Sequence, residues 1–239
     1  MVILKDLFNL LATGEFSGIA LSHASTGGLN EKEYEKVINH INLGILEIYK
    51  RFKLLENAVT IHTDPSVTRY YLRPDRLAIL EDIDTTTYIV QPEDTEGVLN
   101  IIEVNAVCDS TGEELILNNR FLTPSISQIA SDTLEIIGLE AAEIFTVFYQ
   151  SFPTKIVIAS DFDPAEYILY IPETIVEPLM YYVAARVYKP IGKNDSTANA
   201  DKSAGYQQDY ELACTKLSMY GLEIQDDNKD NTFEDKGWA

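Results

Sequence analysis

The spacing of apolar residues changes twice along this chain, and that change constrains the fold more than any other feature. Between Glu31 and Phe52, apolar residues recur every three or four positions, as on one face of a helix. From Asn57 to about Tyr170, short runs rich in β-branched and aromatic residues alternate with Gly, Pro, Asn and Asp turns. The helical spacing returns after Pro172. The sequence therefore predicts helices, then strands, then helices again.

Four helices are predicted at the two ends of the chain. Residues 3–12 suit a short helix, and Asn30 before acidic residues is typical of the start of the second. A third helix opens at Pro172, ends before Gly192, and carries Ile175, Leu179, Val183 and Val187 on one face. The fourth runs to about Tyr220 and carries Tyr206, Tyr210, Ala213, Leu217 and Tyr220 on one face. The polar connection between the last two predicts an antiparallel hairpin.

The predicted strands are short and closely spaced. They are AVTIHT, TRYYL, VLNIIEVNAV, ELIL, TLEII, IFTVFYQSF, KIVIAS and YILYI. CDSTGEEL predicts a hairpin connection in which Gly112 takes a positive φ. IFTVFYQ is apolar on both faces, so we expect this strand to be either sandwiched or covered by a neighbour.

We expect an α+β protein whose helical bundle is discontinuous in sequence. Residues 1–56 would supply its N-terminal helices, and residues 173–222 a helical hairpin that completes it. Residues 57–172 would form an inserted antiparallel β domain. Residues 223–239 are acidic and weakly periodic, which predicts a flexible C-terminal segment.

The charge excludes some classes of protein. The chain carries 38 acidic and 18 basic residues, a net charge of −20. Residues 74–172 hold 18 of the acids and three of the bases. Specific nucleic-acid binding is disfavoured, because it depends on Lys and Arg contacts to phosphates.

No apolar run approaches the roughly 20 residues that span a bilayer. The N-terminus has no basic leader, so we expect an amphipathic helix and a protein that stays in the cytoplasm where it is made.

Motifs for chemistry are absent from the sequence. His23, His40 and His62 lack zinc-ligand spacing, and SDFDPAEY lacks the twelve-residue calcium pattern. No nucleophile motif occurs. Cys108 and Cys214 lie apart in a strand end and a helix interior, which predicts two reduced, buried thiols. We therefore predict no catalytic residue, no metal and no cofactor.

Both ends of the chain resemble one family. IPETIVEPLMYYVAARVYKPIG, YQQDYELACTKLSMYGLEIQDDN and KGWA resemble the C-terminal region of the head-to-tail adaptor (connector, or neck) proteins of tailed bacteriophages. ILKDLFNLLATGEFSGIAL and VINHINLGILEIYKRF are similar to the N-terminal helices of such proteins, a group that includes the podovirus tail tubular protein A family.

The resemblance implies a structural virion protein without a catalytic step. Such adaptors form a ring, commonly of about twelve copies, beneath the portal of the filled capsid. The implied partners are the portal protein, neighbouring copies, and a tail nozzle or tail-tube protein. DNA would pass through the lumen without sequence-specific binding, and no membrane would be involved. The protein would reside in the neck of the virion, and in the host cytoplasm during assembly.

Six residues are candidates for assembly contacts on this reading. Basic residues around the corner of the helical hairpin would face an acidic neighbour or the portal, and two aromatic residues of the C-terminal segment would act as anchors. They are Arg186, Lys189, Lys193 and Lys202, and Phe233 and Trp238. The simpler alternatives are compensation of the helix dipole with loop solubility for the basic residues, and a disordered end for the aromatic ones.

Two other functions stay open at this point. A tail-tube or tail-terminator subunit would also be acidic and ring-forming, but it would depend mostly on sheets. A hydrolase that uses paired acids would need a pocket in which carboxylates of shifted pKa converge.

Overall fold

The structure is a computed structural model, and it describes residues 1–16, 28–78, 83–91, 99–159, 162–189 and 197–221. Its contacts divide the chain into two compact units. The helical unit comprises Met1–Phe52 and Lys155–Ile224, and the β unit is built from Lys53–Thr154. Residues 155–172, which the sequence assigns to the β domain, group with the helices by their contacts. The predicted domain limits stay a prediction.

The helical unit contains four α-helices. They are α1 (Leu4–Thr13), α2 (Tyr34–Arg51), α3 (Val176–Val187) and α4 (Thr197–Met219). Single 3₁₀ turns, Glu31–Glu33 and Glu173–Ile175, precede α2 and α3. The side chain of Asn30 accepts a hydrogen bond from the Lys32 amide at 3.2 Å, which confirms Asn30 as the cap of the turn that leads into α2. Gly221 follows α4 with a φ of +90°.

Apolar faces hold the helices together. On α2 the buried residues follow the predicted spacing and are Val37, Ile38, Ile41, Gly44, Ile45, Ile48 and Tyr49. Helix α3 packs against both α2 and α4. The Ser203 hydroxyl near the start of α4 donates to the Ala185 carbonyl near the end of α3 at 2.8 Å, while Tyr210 packs on Tyr182 further back along both helices. The two helices are therefore antiparallel, as predicted.

A two-stranded ribbon completes the helical unit. Strand β1 (Val2–Ile3) pairs antiparallel with β10 (Ile168–Leu169), with Val2 opposite Leu169 and Ile3 opposite Ile168. Strand β10 lies within the predicted run YILYI. The pairing ties the start of α1 to the chain that leads into α3.

The β unit contains two antiparallel sheets. Their strands are β2 (Glu56–His62), β3 (Arg69–Tyr71), β4 (Ile89–Val90), β5 (Ile101–Cys108), β6 (Glu114–Leu115), β7 (Ser125–Ala130), β8 (Thr133–Ile137) and β9 (Ile144–Ser151). The larger sheet has the order β4-β2-β9-β5-β6, and the smaller one has the order β3-β8-β7. Side chains of both sheets, such as Val59, Val147, Leu134 and Ile136, enter one buried core.

The tight turn between β5 and β6 forms as predicted. Gly112 has a φ of +86°, which a residue with a Cβ rarely adopts. The Asp109 carboxylate accepts from the amide and the hydroxyl of Thr111 at 2.8 and 2.6 Å, so the side chain of Asp109 stabilises the turn.

Several sequence-based predictions are wrong in detail. KIVIAS is not a strand in the described chain, because its backbone is held by a side chain rather than by a neighbouring strand. Tyr220, which the sequence predicts to continue the apolar face of the fourth helix, is 85% exposed, because α4 already ends at Met219. Cys108 is half-buried, since it lies at the end of β5, whereas Cys214 is buried. By contrast, strand β9 is buried on one face and partly covered on the other, where Phe148 is half-buried and only the terminal Ile144 is 43% exposed.

The class of the fold is confirmed. The protein is α+β, with 38% of the described residues in helices and 26% in strands, and its sheets are antiparallel. None of the described helices is long and apolar enough to cross a membrane.

Candidate functional site

The candidate assembly surface is the end of the helical hairpin, where α3 finishes and α4 begins. It is built on a group of tyrosines. Tyr206 of α4 stacks on Tyr188 and Tyr181, with ring centroids 5.6 and 6.5 Å apart, and Tyr210 meets the edge of Tyr182 at 5.5 Å. These contacts fix the two helices against each other at this end.

The end of α1 is tied to the same group. The Tyr188 hydroxyl donates to the Glu15 carbonyl at 3.0 Å, and the Tyr206 hydroxyl reaches the same oxygen at 3.4 Å. Burial raises the pKa of both phenols, and the nearby Glu15 raises it further. They therefore stay neutral hydrogen-bond donors at physiological pH.

Two of the predicted basic residues lie against this aromatic group. The Arg186 guanidinium donates to the Tyr182 hydroxyl at 2.9 Å and sits 5.2 Å from the centre of its ring. The Lys202 ammonium lies 5.0 Å from the centre of the Tyr188 ring. Both are cation–π contacts, which hold a charge in place without neutralising it.

We call Arg186, Lys189 and Lys202 the hairpin-end cations. All three are exposed, and none forms an ion pair with a described residue. The structure thus brings three of the predicted residues to one end of the hairpin. Lys193, Phe233 and Trp238 lie outside the described residues.

The helix dipole explains part of this arrangement. Arg186 lies in the last turn of α3, where a cation is favoured. Lys202 lies near the start of α4, where a cation gains nothing from the dipole. Dipole compensation alone therefore does not account for the clustering.

One of the hairpin-end cations, Arg186, influences a histidine on α2. Burial lowers the pKa of His40, and the charges of Lys36 and Arg186 lower it further. His40 is therefore a neutral residue at pH 7 beside a positive surface.

Sequence reasoning missed the tyrosines that position the cations. The spacing of Tyr182 and Arg186, four residues apart on one helix, is a signal that would have found their contact. The contact between Tyr188 and Lys202 depends on the geometry of the hairpin, so no local sequence pattern predicts it.

A hydrolase that uses paired acids needs a pocket in which carboxylates of shifted pKa converge. A groove of about 680 Å³ in the helical unit is lined by Glu31, Glu35 and Asp163, but Lys5 and Lys32 line it too. Elsewhere, hydrogen bonds inside turns lower the pKa of exposed carboxyls such as Asp64, Asp84 and Asp109. A general acid needs the opposite shift.

Metal-binding and thiol chemistry find little support in the residues that the structure describes. No group of three or more His, Cys, Asp or Glu residues within them is placed to hold a metal ion. Burial raises the pKa of both thiols, Cys108 and Cys214, which makes them poor nucleophiles.

The sequence of this chain matches a known protein family over most of its length. Residues 22–231 match the model of a family of bacteriophage structural adaptor proteins. The chain belongs to this family, the SU10 adaptor protein family. No curated protein matches the chain.

Membership confirms part of what the sequence predicts. The protein is a phage structural adaptor and a component of the virion, and its family is a structural one rather than a family of enzymes. The closer likeness to the podovirus tail tubular protein A family stays a prediction.

Proposed function

We propose that this adaptor forms a ring of about twelve copies between the capsid portal and the tail, with DNA passing through its lumen. The observation that carries the proposal, beside membership of the adaptor family, is the cluster of hairpin-end cations. All three are exposed, tyrosines hold Arg186 and Lys202 in place, and none of the three carries a carboxylate partner among the described residues. Each copy then presents them to an acidic surface of the next copy or of the portal.

The charge of the rest of the chain fits this arrangement. Residues 53–154 contain 17 acidic residues against five basic ones, a net charge of −12 out of the total of −20. In a ring, so acidic a chain gives neighbouring copies a surface complementary to the hairpin-end cations. It also repels DNA phosphates, which lets the genome slide through the lumen without binding.

The C-terminal segment supplies a second proposed contact. Phe233 and Trp238 are the large apolar residues of an otherwise polar sequence from 225 to 239. We propose that they anchor on the portal or on an adjacent copy when the ring assembles. Deleting residues 230–239 is expected to weaken portal attachment while the fold is kept, and unchanged attachment would contradict this role.

A charge-reversal experiment tests the hairpin-end cations. Lys189→Glu with Lys202→Glu is compared with Lys50→Glu with Lys216→Glu, which makes the same change of charge at exposed positions outside the hairpin-end group. Arg186 is left intact because it donates to Tyr182.

The affinity for the portal ring of the same phage is measured for each variant at low and moderate salt. The first pair is expected to weaken binding at least about tenfold at low salt, or about 1.4 kcal/mol, and the difference should shrink as salt rises. Equal affinities for the two double variants would show that Lys189 and Lys202 take no part.

A further inference from the structure

One extended segment of the helical unit has the sequence of a strand but no strand beside it. The segment Lys155–Ala159 runs along α2, and the Asn42 side chain holds Ile156. The Ile156 amide donates to Asn42 Oδ1 at 2.9 Å, and Asn42 Nδ2 donates to the Ile156 carbonyl at 3.0 Å. Asn42 thus makes the pair of hydrogen bonds that a neighbouring strand would make.

The other side of this segment is open. In an extended chain the backbone groups of successive residues point in opposite directions, so those of Lys155 and Val157 point away from Asn42. No hydrogen bond joins the backbone of either residue to another described residue. The Val157 side chain is 70% exposed and that of Ile158 is 41% exposed. We call this side of Lys155–Ala159 the open edge.

A second unpaired edge lies in the same unit, on β10. The Leu4 amide donates to the Tyr167 carbonyl at 3.0 Å, so the next pair in the ladder, Ile3 with Ile168, is a non-hydrogen-bonded pair. The backbone groups of Ile168, and by the same alternation those of Tyr170, therefore point away from β1. The side chains of Ile168 and Tyr170 are 44% and 68% exposed. We call this the outer edge of β10.

The two edges are complementary in backbone chemistry and in charge. Each offers free N–H and C=O groups beside exposed apolar side chains, which is what strand addition requires. Lys155 is the charged residue of the stretch from 153 to 159, and that stretch has no acid. Glu166 and Glu173 flank the outer edge of β10, and residues 162–174 contain no base.

We propose that Lys155–Ala159 of one copy adds as a strand to the outer edge of β10 of a neighbouring copy. The contact joins two different surfaces, so it repeats from copy to copy and suits a closed ring. The inference rests on the proposed function, because it requires copies side by side. It identifies the partner of the open edge as a second copy of this chain.

Hydrogen exchange on the full-length protein, alone and assembled on the portal ring, tests the proposal. In the free protein the amides of Val157, Ile168 and Tyr170 are expected to exchange rapidly. In the assembly their exchange should slow at least about tenfold, because each becomes hydrogen-bonded between strands.

Two variants of one residue provide the matched comparison. Val157→Pro removes the N–H and blocks strand addition, while Val157→Thr keeps the N–H and the β-branched shape. Because the Val157 amide makes no hydrogen bond within the described chain, both variants should fold, which circular dichroism checks. Val157→Pro should recruit fewer copies to the portal, measured by mass, and Val157→Thr should behave as the wild type.

The outcomes separate the two ideas. If no assembly with the portal forms in any variant, the proposed function fails. If the assembly forms but the three amides stay unprotected, or Val157→Pro assembles as well as Val157→Thr, strand addition is wrong and the adaptor function stands.

Discussion

Substitution of Gly44 by alanine tests the packing that positions the hairpin. Gly44 lies on the buried face of α2, where α2 meets α3. A Cβ at this position would come within 2.6 Å of Leu179 Cδ1 and 2.8 Å of Tyr182 Cδ1. Leu179 is fully buried, and the Tyr182 ring is held by Arg186 and Tyr210, so both side chains would have to shift inside a packed core.

The expected size of the effect follows from two opposing contributions. Replacing a mid-helix glycine by alanine favours the helix by about 1 kcal/mol. Overpacking a well-filled core costs about 1–3 kcal/mol. Gly205 in α4 is the matched control, because beyond its chain neighbours and its own helical backbone no atom of the described residues lies within 4 Å of where its Cβ would be. We expect Gly205→Ala to stabilise the protein and Gly44→Ala to be about 1–3 kcal/mol less stable than Gly205→Ala.

Urea unfolding followed by far-ultraviolet circular dichroism measures this difference. The signal reports mainly on helices, so it follows the helical unit even if the β unit unfolds separately. A Gly44→Ala protein as stable as Gly205→Ala would refute the close packing of α2 on α3. Because Tyr182 carries Arg186, Gly44→Ala should also weaken portal binding, and Gly205→Ala should not.

Three further predictions concern single side chains. Asn42→Ala should cost about 1–3 kcal/mol in urea unfolding and speed exchange of the Ile156 amide, because it removes both hydrogen bonds to Ile156. Asn39→Ala, at an exposed position on the same helix, should do neither. Arg51→Gln breaks a partly exposed ion pair between α2 and α4, so it should cost less than about 1 kcal/mol, and the loss should vanish in 1 M salt. His40 has a lowered pKa when folded, so its contribution to stability is present above its unfolded pKa of about 6.5 and is lost as pH falls through and below that value. His40→Gln should reduce the drop in the urea midpoint between pH 7.5 and 5.5, and an unchanged drop would contradict the assignment.

The sequence predicts the helices well, because the buried face of a helix appears in the sequence as apolar residues every three or four positions. The buried residues of α2 are those that the spacing indicates. Strand pairing leaves a weaker trace. KIVIAS has the composition of a strand and is extended, but its hydrogen-bonding partner is the side chain of Asn42, far away in sequence. Strand β7 is not predicted, because polar residues precede and follow Ile126 in SISQIA and the apolar run typical of a strand is missing.

The candidate site shows the same limit. Arg186 at the end of α3 is visible in the sequence, because helix-ending residues follow it. Its contact with Tyr182 is local and follows from helical spacing. The approach of Lys202 to Tyr188, and the free side of Lys155–Ala159, depend on how distant segments pack. Such features require the folded structure.

The most direct test of the ring adaptor is to mix the purified protein with the portal ring encoded by the same genome. Negative-stain electron microscopy with mass measurement then shows the product. The account predicts a second ring stacked coaxially on the portal, with the copy number given by the added mass. No association at either low or moderate salt would contradict it.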